Sequence, residues 1–294
     1  MCSVLNRESR GIKLIKDKFG SLIEADSAFA NLCEVIKGYE KLVVAFSGGV
    51  DSTFLIKVAS EILGDNAIAL TVNSPYIADW EIEEAKELTH ELAINHKFLM
   101  VEEIPNQIIN NPVDRCYLCK TEIFSTIKKR AKEMGIDYVA DGSNLDDTKD
   151  YRPGMRALSE LEIKSPLMEA GITKEQIRKW SKELGLPTWD KPPYACLLTR
   201  LPYDQPIVIQ DLKMIEAAEG YLIGRGIRAV RVRKHDSIAR IEAGEAELEM
   251  MMNVQLLKEI ADELKSYGFE YVTLDLAGYK MGSFNKGITE ERNA

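Results

Sequence analysis

Three thiols carry the strongest chemical suggestion in this chain. Cys116 and Cys119 stand three residues apart, and Cys196 follows much later in the run Pro-Pro-Tyr-Ala-Cys196-Leu-Leu-Thr-Arg200. On a helix that first spacing sets two thiolates one turn apart, facing one centre. The spacing alone is open among a [4Fe-4S] cluster held by three cysteines, a structural zinc with a fourth ligand, a redox pair, and buried thiols that bind nothing. Cys2 and Cys33 have no such company and read as bystanders.

A second constellation is Ser47-Gly48-Gly49-Val50-Asp51-Ser52. The two glycines let the backbone turn sharply and approach a ligand without Cβ interference. Ser47, Asp51 and Ser52 set hydroxyls and a carboxylate beside the unpaired N–H groups of a helix start, which is a cradle for an anion. The Gly-Lys-Ser/Thr ending of a Walker A loop is missing, since Lys57 comes too late in the helix. The bland alternative is a tight Gly-Gly turn that caps an ordinary helix.

The third group is Arg231-Val-Arg233 with His235, Arg240 and Glu242. Alternation along a strand projects both guanidinium groups to one face, and the planar fork of arginine suits phosphate. Glu242 either orients an arginine or joins Glu216 or Glu219 around a divalent ion. The competing reading is a solvated strand face with ordinary ion pairs.

The elements needed to position these residues are legible as an alternating pattern. Helical stretches over 9–19 and 27–37 precede a strand over 41–46, a helix over 52–63, a strand over 67–72, a helix over 79–92, a strand over 97–101, a helix over 117–134 and a strand over 138–140. Such alternation predicts an α/β fold with a doubly wound parallel sheet, and ligands at the carboxyl ends of its strands. Asp141-Gly-Ser-Asn-Leu-Asp-Asp147 follows one of those ends, so Asp141 joins the anion cradle as a candidate. A capping box, Thr173-Lys-Glu-Gln176, opens a further helix that ends near Gly185. The proline-rich segment around Cys196 then marks a stiff connection between domains. Beyond it a smaller α/β pattern runs through a helix over 210–223, strands over 229–233 and 238–242, a helix over 248–267 and a strand over 271–274. The predicted division is an N-terminal helical segment (1–38), a nucleotide domain (39–195), a C-terminal substrate-binding and oligomerisation domain (196–285) and a tail (286–294).

Composition narrows the class. With 294 residues and 45% hydrophobic content, the chain can bury a sizeable core. A net charge of −9 weighs against a broad nucleic-acid surface. Charges punctuate the first twenty residues and no apolar run reaches membrane-spanning length, so the expectation is a cytoplasmic protein without a membrane partner. Five cysteines, an odd number, point to reactivity or metal binding more than to disulfides.

The loop Ser47 to Ser52 resembles the SGGxDS loop of the PP-loop ATP pyrophosphatases, which split ATP between its α and β phosphates. Together with Arg115-Cys-Tyr-Leu-Cys-Lys120, the segment up to Arg200 and the closing Gly278-Tyr-Lys-Met-Gly-Ser-Phe-Asn285, its order and spacing are similar to the LarE family of ATP-dependent sulfur transferases. The resemblance runs from about Lys41 to Asn285. It implies a HUP-like PP-loop domain, ATP and Mg2+ as cofactors, and adenylylation of a carboxylate of pyridinium-3,5-biscarboxylic acid mononucleotide on the way to a nickel-pincer nucleotide. Sulfur then displaces AMP. Family members whose only site cysteine matches Cys196 give up that sulfur; members with three, as here, carry a [4Fe-4S] cluster on residues matching Cys116, Cys119 and Cys196. On this reading Ser47, Gly48, Gly49, Asp51, Ser52 and Asp141 hold ATP, with Asp51 also a magnesium ligand. Arg200, Arg231, Arg233, His235 and Arg240 take the substrate phosphate, a sulfide source is a possible partner, and the chain forms a homo-oligomer.

Two rival functions stand beside it. A tRNA thiolase of the same superfamily would need an electropositive face, against which the low pI weighs. An ammonia-dependent adenylating amide synthetase would use the cysteines for structural zinc. A non-enzymatic nucleotide sensor is the weakest reading.

Overall fold

The computed structural model describes residues 19–149 and 153–279, apart from positions 21, 23 and 25. The helix expected over 9–19 and the residues after Tyr279 in the closing motif therefore lie almost wholly outside the described residues. The chain forms two compact units, each assembled from separate stretches of sequence. The first gathers the chain up to Asn73 with 81–102 and 116–191, and the second gathers 74–80, 103–115 and the chain from Pro192 onward.

The first unit is built on a four-stranded, wholly parallel sheet, as the alternating pattern predicts. Its elements are α1 (Ser27–Lys37), β1 (Leu42–Ala45), α2 (Val50–Leu63), β2 (Ala67–Asn73), α3 (Asp79–Glu91), β3 (His96–Met100), α4 (Arg115–Glu133), β4 (Val139–Ala140), α5 (Pro153–Glu160), α6 (Pro166–Glu169) and α7 (Lys174–Glu183). The strand order is β3-β2-β1-β4, with Val44 opposite Ala69 on one side and Ala140 on the other. Six of the seven residues of β2 and three of the four in β1 are buried, because a parallel sheet covered on both faces has no polar side. The order reverses between β1 and β4, which opens a crevice at their carboxyl ends.

Helix α2 packs on α1 and α7 through a ring cluster. Phe29 meets Phe19, Phe54 and Trp180 edge-on at centroid distances of 5.4, 6.1 and 5.2 Å, while Phe54 stacks on Trp180 at 5.9 Å. Cys33 is part of this core, where burial pushes its thiol up to about 11, so it stays protonated and inert. The capping box is present as expected: Thr173 accepts from the Gln176 N–H and Gln176 reaches back to Thr173.

In the second unit, α8 (Ile209–Gly224) packs on a sheet of β5 (Val230–His235), β6 (Ile238–Ala243) and β7 (Tyr271–Leu274), and α9 (Glu245–Met251) and α10 (Val254–Ser266) lie between β6 and β7 in the chain. Strands β5 and β6 are antiparallel and β7 joins β6 in parallel. The single helix expected over 248–267 is broken. Asn253, in extended geometry, accepts from the N–H groups of Gln255 and Leu256 and so starts α10 as an N-cap.

Candidate functional site

The anion cradle lies in the first unit at the sheet's switch point. Strand β1 ends at Ala45, the chain turns through Gly48 at φ 67°, and α2 begins at Val50. That positive φ is accessible to glycine at no steric cost. Ser47 and Ser52 hold the turn: their hydroxyls are 3.2 Å apart, and Ser52 Oγ accepts from the Ser47 N–H and donates to the Gly49 carbonyl. The first turn of α2 presents its N–H groups and its partial positive charge at this point.

The loop after β4 closes on the same turn. A Cβ on Gly142 would lie 3.1 Å from the Ser52 nitrogen and 3.2 Å from the Asp51 Cβ, so only glycine lets the two loops approach this closely. Asp141 is buried, and its two carboxylate oxygens accept from the hydroxyls of Ser143 and Ser165. Asp51 is ion-paired with Lys174 and lies 3.5 Å from the Asn144 amide. Burial raises the proton affinity of Asp51, and the Lys174 ammonium opposes that shift.

Two cations at the cradle were not foreseen as functional. Lys174 sits on the first residue of α7, and its only sequence signal is the capping box around it. Lys191 is buried, donates to the Gly48 carbonyl at 2.9 Å and pairs with Glu84 at 2.8 Å. With them, the cradle offers backbone donors, two hydroxyls, two ammonium groups and one partly exposed carboxylate. That set suits a polyphosphate and its cation.

In the second unit, Cys196 caps a short 3-10 turn over Leu197–Arg200. Arg200 clamps this turn: its Nη1 donates to the carbonyls of Ala195 and Cys196 at 2.7 and 3.2 Å, while Nε and Nη2 fork onto Glu219 at 2.8 and 2.9 Å. Arg200 and Glu219 are each 1% exposed. Register sets Arg231 opposite Glu242 and Arg233 opposite Arg240 on β5 and β6. Glu242 accepts from Arg233 at 2.9 Å and from Arg240 at 2.7 Å, so it orients arginines. Glu216 instead bonds Lys213 and the Asp79 N–H.

Arg231 is different. It donates to the Val230 and Pro193 carbonyls and lies 5.6 and 5.1 Å from the ring centroids of Tyr194 and Tyr279, with no carboxylate at ion-pair distance among the described residues. Burial, then Arg200 beside it, lowers its proton affinity, and the Glu219 carboxylate opposes that shift. Burial and the charges of Arg240 and Arg233 likewise lower the pKa of His235.

Cys116 and Cys119 lie one turn apart at the start of α4; Cys116 is exposed, Cys119 and Cys196 are half-buried, and none is in a disulfide. The donor type fits an iron–sulfur cluster, since thiolates are its usual ligands. Among the described residues, no group of three or more His, Cys, Asp or Glu side chains is gathered as a metal site. No described helix is long and apolar enough to cross a membrane.

The NAD synthase family matches residues 30–134, which include the loop from Ser47 to Ser52. The chain is 40% identical over 266 residues to an uncharacterized protein of Synechocystis, covering 90% of this chain and 99% of the relative. It is 36% identical over 267 residues to the pyridinium-3,5-bisthiocarboxylic acid mononucleotide synthase of Lactiplantibacillus plantarum, covering 90% and 96%. An uncharacterized protein of Methanocaldococcus jannaschii is 36% identical over 250 residues, covering 85% and 94%.

Proposed function

The chain belongs to the LarE family within the PP-loop superfamily of ATP-dependent enzymes, and from that premise we propose that it converts a carboxylate of pyridinium-3,5-biscarboxylic acid mononucleotide to a thiocarboxylate at the expense of ATP. The observation that carries this reading is the 36% identity to the bisthiocarboxylic acid mononucleotide synthase over nearly the full length of both chains.

The N–H groups of residues 48–52 and the Ser47 and Ser52 hydroxyls would hold the phosphates of ATP. Lys174 and Lys191 neutralise phosphate charge, and Asp51 would hold Mg2+, which would supply charge neutralisation for the departing pyrophosphate. Asp141 stays hydrogen-bonded to Ser143 and Ser165 and keeps the Gly142 loop against the cradle. A substrate carboxylate oxygen attacks the α phosphorus, the α–β bridge breaks, and pyrophosphate leaves. The product is an acyl-adenylate whose AMP is a good leaving group. A sulfur nucleophile adds to the acyl carbon and AMP departs with the bridging oxygen.

The substrate phosphate binds Arg231, with Arg240 and His235 beside it, while Arg200 and Arg233 position the Cys196 turn and the sheet. Cys116, Cys119 and Cys196 supply the thiolates of a [4Fe-4S] cluster. Held by those three residues, the cluster would supply the sulfur chemistry of the transfer, with sulfide from an external donor. The protein acts in the cytoplasm as a homo-oligomer.

Protein purified without oxygen should be brown, with about four irons and four acid-labile sulfides per chain by the three-thiolate argument. It should form AMP and pyrophosphate only when the dicarboxylate mononucleotide is supplied. Stoichiometric zinc in a colourless protein would remove the cluster from the proposal. AMP formation with bulk tRNA or with ammonia, and none with the mononucleotide, would overturn the substrate.

A further inference from the structure

Arg115 opens α4 and is 4% exposed, yet its guanidinium makes no hydrogen bond or ion pair with any described residue. Its Nε and Nη1 are both enclosed without a partner. One face is covered by the Tyr203 ring, whose centroid is 4.3 Å away. A buried charge without a counter-charge is strongly disfavoured unless something else supplies one. Cation–π contact with a tyrosine offsets part of that penalty and satisfies none of the in-plane donors.

The neighbouring chain is fixed with unusual thoroughness. Asn111 is wholly buried at φ 50°, and its Nδ2 faces the carbonyls of Leu198, Leu201 and Pro202 at 3.5, 3.3 and 2.7 Å. Its backbone carbonyl accepts from the Asp204 N–H, and the Arg115 N–H donates to the Pro112 carbonyl. Residues 111–115 are thereby pinned to 198–204, both stretches lying in the second unit. With Nδ2 committed to three carbonyls, the Asn111 Oδ1 is left enclosed and without a partner. Enclosed donors on Arg115 and an enclosed acceptor on Asn111 flank the same Pro202-Tyr203 dipeptide. Buried polar atoms in a rigid frame are ordinarily satisfied, so this set marks a place where an external group completes the bonding.

We infer that Arg115 is an oxyanion-binding residue of the second unit, taking carboxylate or phosphate oxygens in the plane of its guanidinium while Asn111 Oδ1 accepts from a water or hydroxyl beside them. The oxyanion class stands on the geometry alone. That the oxyanion belongs to the mononucleotide, as its phosphate or as the carboxylate awaiting activation, rests on the proposed function.

The test is calorimetric titration of the full-length protein with two probes, inorganic phosphate and pyridine-3,5-dicarboxylate, neither of which needs ATP or a sulfur source. Arg115→Met keeps the apolar stem over Tyr203 and removes the charge, and Arg115→Lys restores the charge without the planar donors. The expected result is at least a tenfold loss of affinity for one probe in Arg115→Met and partial recovery in Arg115→Lys. Loss confined to phosphate identifies the phosphate as the ligand, and loss confined to the dicarboxylate identifies the carboxylate. If Arg115→Met does not fold, Arg115→Lys and the wild type are compared directly, with the same tenfold criterion. Unchanged affinity for both probes overturns the inference and leaves Arg115 a structural clamp. A probe that binds normally to a protein inactive with the mononucleotide would separate failure of the proposed function from failure of this site.

Discussion

Lys191 reaches the backbone carbonyl of Gly48 at 2.9 Å from more than 140 residues along the chain, and in doing so fixes the turn that makes the cradle. The same ammonium pairs with Glu84, so it is held in place while its charge faces the loop. A charge-assisted hydrogen bond of this kind contributes about 1.5–3 kcal/mol. Lys191→Met should therefore raise the KM for ATP roughly tenfold or more by that figure, with a smaller fall in kcat. Steady-state AMP release measures both. An unchanged KM would mean that the loop keeps its shape without the lysine.

Asp51 and Lys174 make the second prediction. Burial raises the proton affinity of Asp51, so the ionised carboxylate is a cost to the fold that Lys174 only partly offsets. The sign follows: a carboxyl whose pKa is raised in the folded state adds stability below its ordinary pKa and loses it as pH rises through the folded value. At neutral pH Asp51→Asn should leave the melting temperature unchanged or higher, while ATP cleavage falls by about two orders of magnitude or more, the scale expected when transition-state charge stabilisation is lost. Lys174→Met should lose ATP affinity instead, and its melting temperature reports whether an unpaired Asp51 is tolerated. A destabilised Asp51→Asn with normal turnover would reverse both assignments.

The cradle was legible because Ser47-Gly-Gly-Val-Asp-Ser52 is local: strand, turn and helix start within one short run dictate where the donors point. The parallel sheet was legible for the same reason, since the alternation of apolar runs and amphipathic helices is written along the chain. What remained hidden depends on distant residues meeting. Lys174 and Lys191 gain their meaning from Asp51 and Gly48, and no spacing rule connects those positions. Glu242 meets Arg233 and Arg240 through the register of β5 and β6, which no local spacing shows. The break before α10 was a matter of capping, where Asn253 wins over a continuous helical period.

His96 gives a pH prediction. Its Nε2 lies 2.8 Å from Thr71 Oγ1, which donates to the Phe46 carbonyl at the end of the cradle strand, and its Nδ1 lies 2.8 Å from Thr89 Oγ1. With the Thr71 proton on Phe46, Nε2 donates to Thr71 Oγ1, and in the neutral ring Nδ1 accepts the Thr89 hydroxyl in competition with the Ala85 carbonyl. Burial lowers its pKa from 6.5 to about 4. The unfolded chain takes up a proton in that interval and the folded chain does not, so this contribution is complete above pH 6.5 and is lost as pH falls towards 4. For a partly exposed ring the loss should be about 1–2 kcal/mol. Urea midpoints of the wild type and His96→Gln, compared at pH 7.5 and 4.5, isolate it from the titrating carboxylates. Parallel curves for the two proteins would refute the assignment.

Arg200 and Glu219 give the last prediction, which joins stability to the reactivity of a thiol. Both are almost wholly enclosed; Glu219 takes the Arg200 fork and also accepts from the Val232 N–H at 2.8 Å, while Arg200 holds the carbonyls of Ala195 and Cys196. Removing one partner strands the other charge, at a cost of about 3–5 kcal/mol. Glu219→Gln should therefore lower stability by that amount in urea unfolding. The paired change Arg200→Met with Glu219→Leu should recover much of it, because two well-packed apolar side chains leave no charge unpaired. If the clamp matters only for stability, the double variant should also restore the alkylation rate of Cys196 measured by mass spectrometry. We expect it not to, because methionine cannot hold the Ala195 and Cys196 carbonyls, and the turn that presents the thiol loses its geometry even where the fold is regained. A double variant with both stability and Cys196 reactivity at wild-type levels would show that Arg200 serves the core alone.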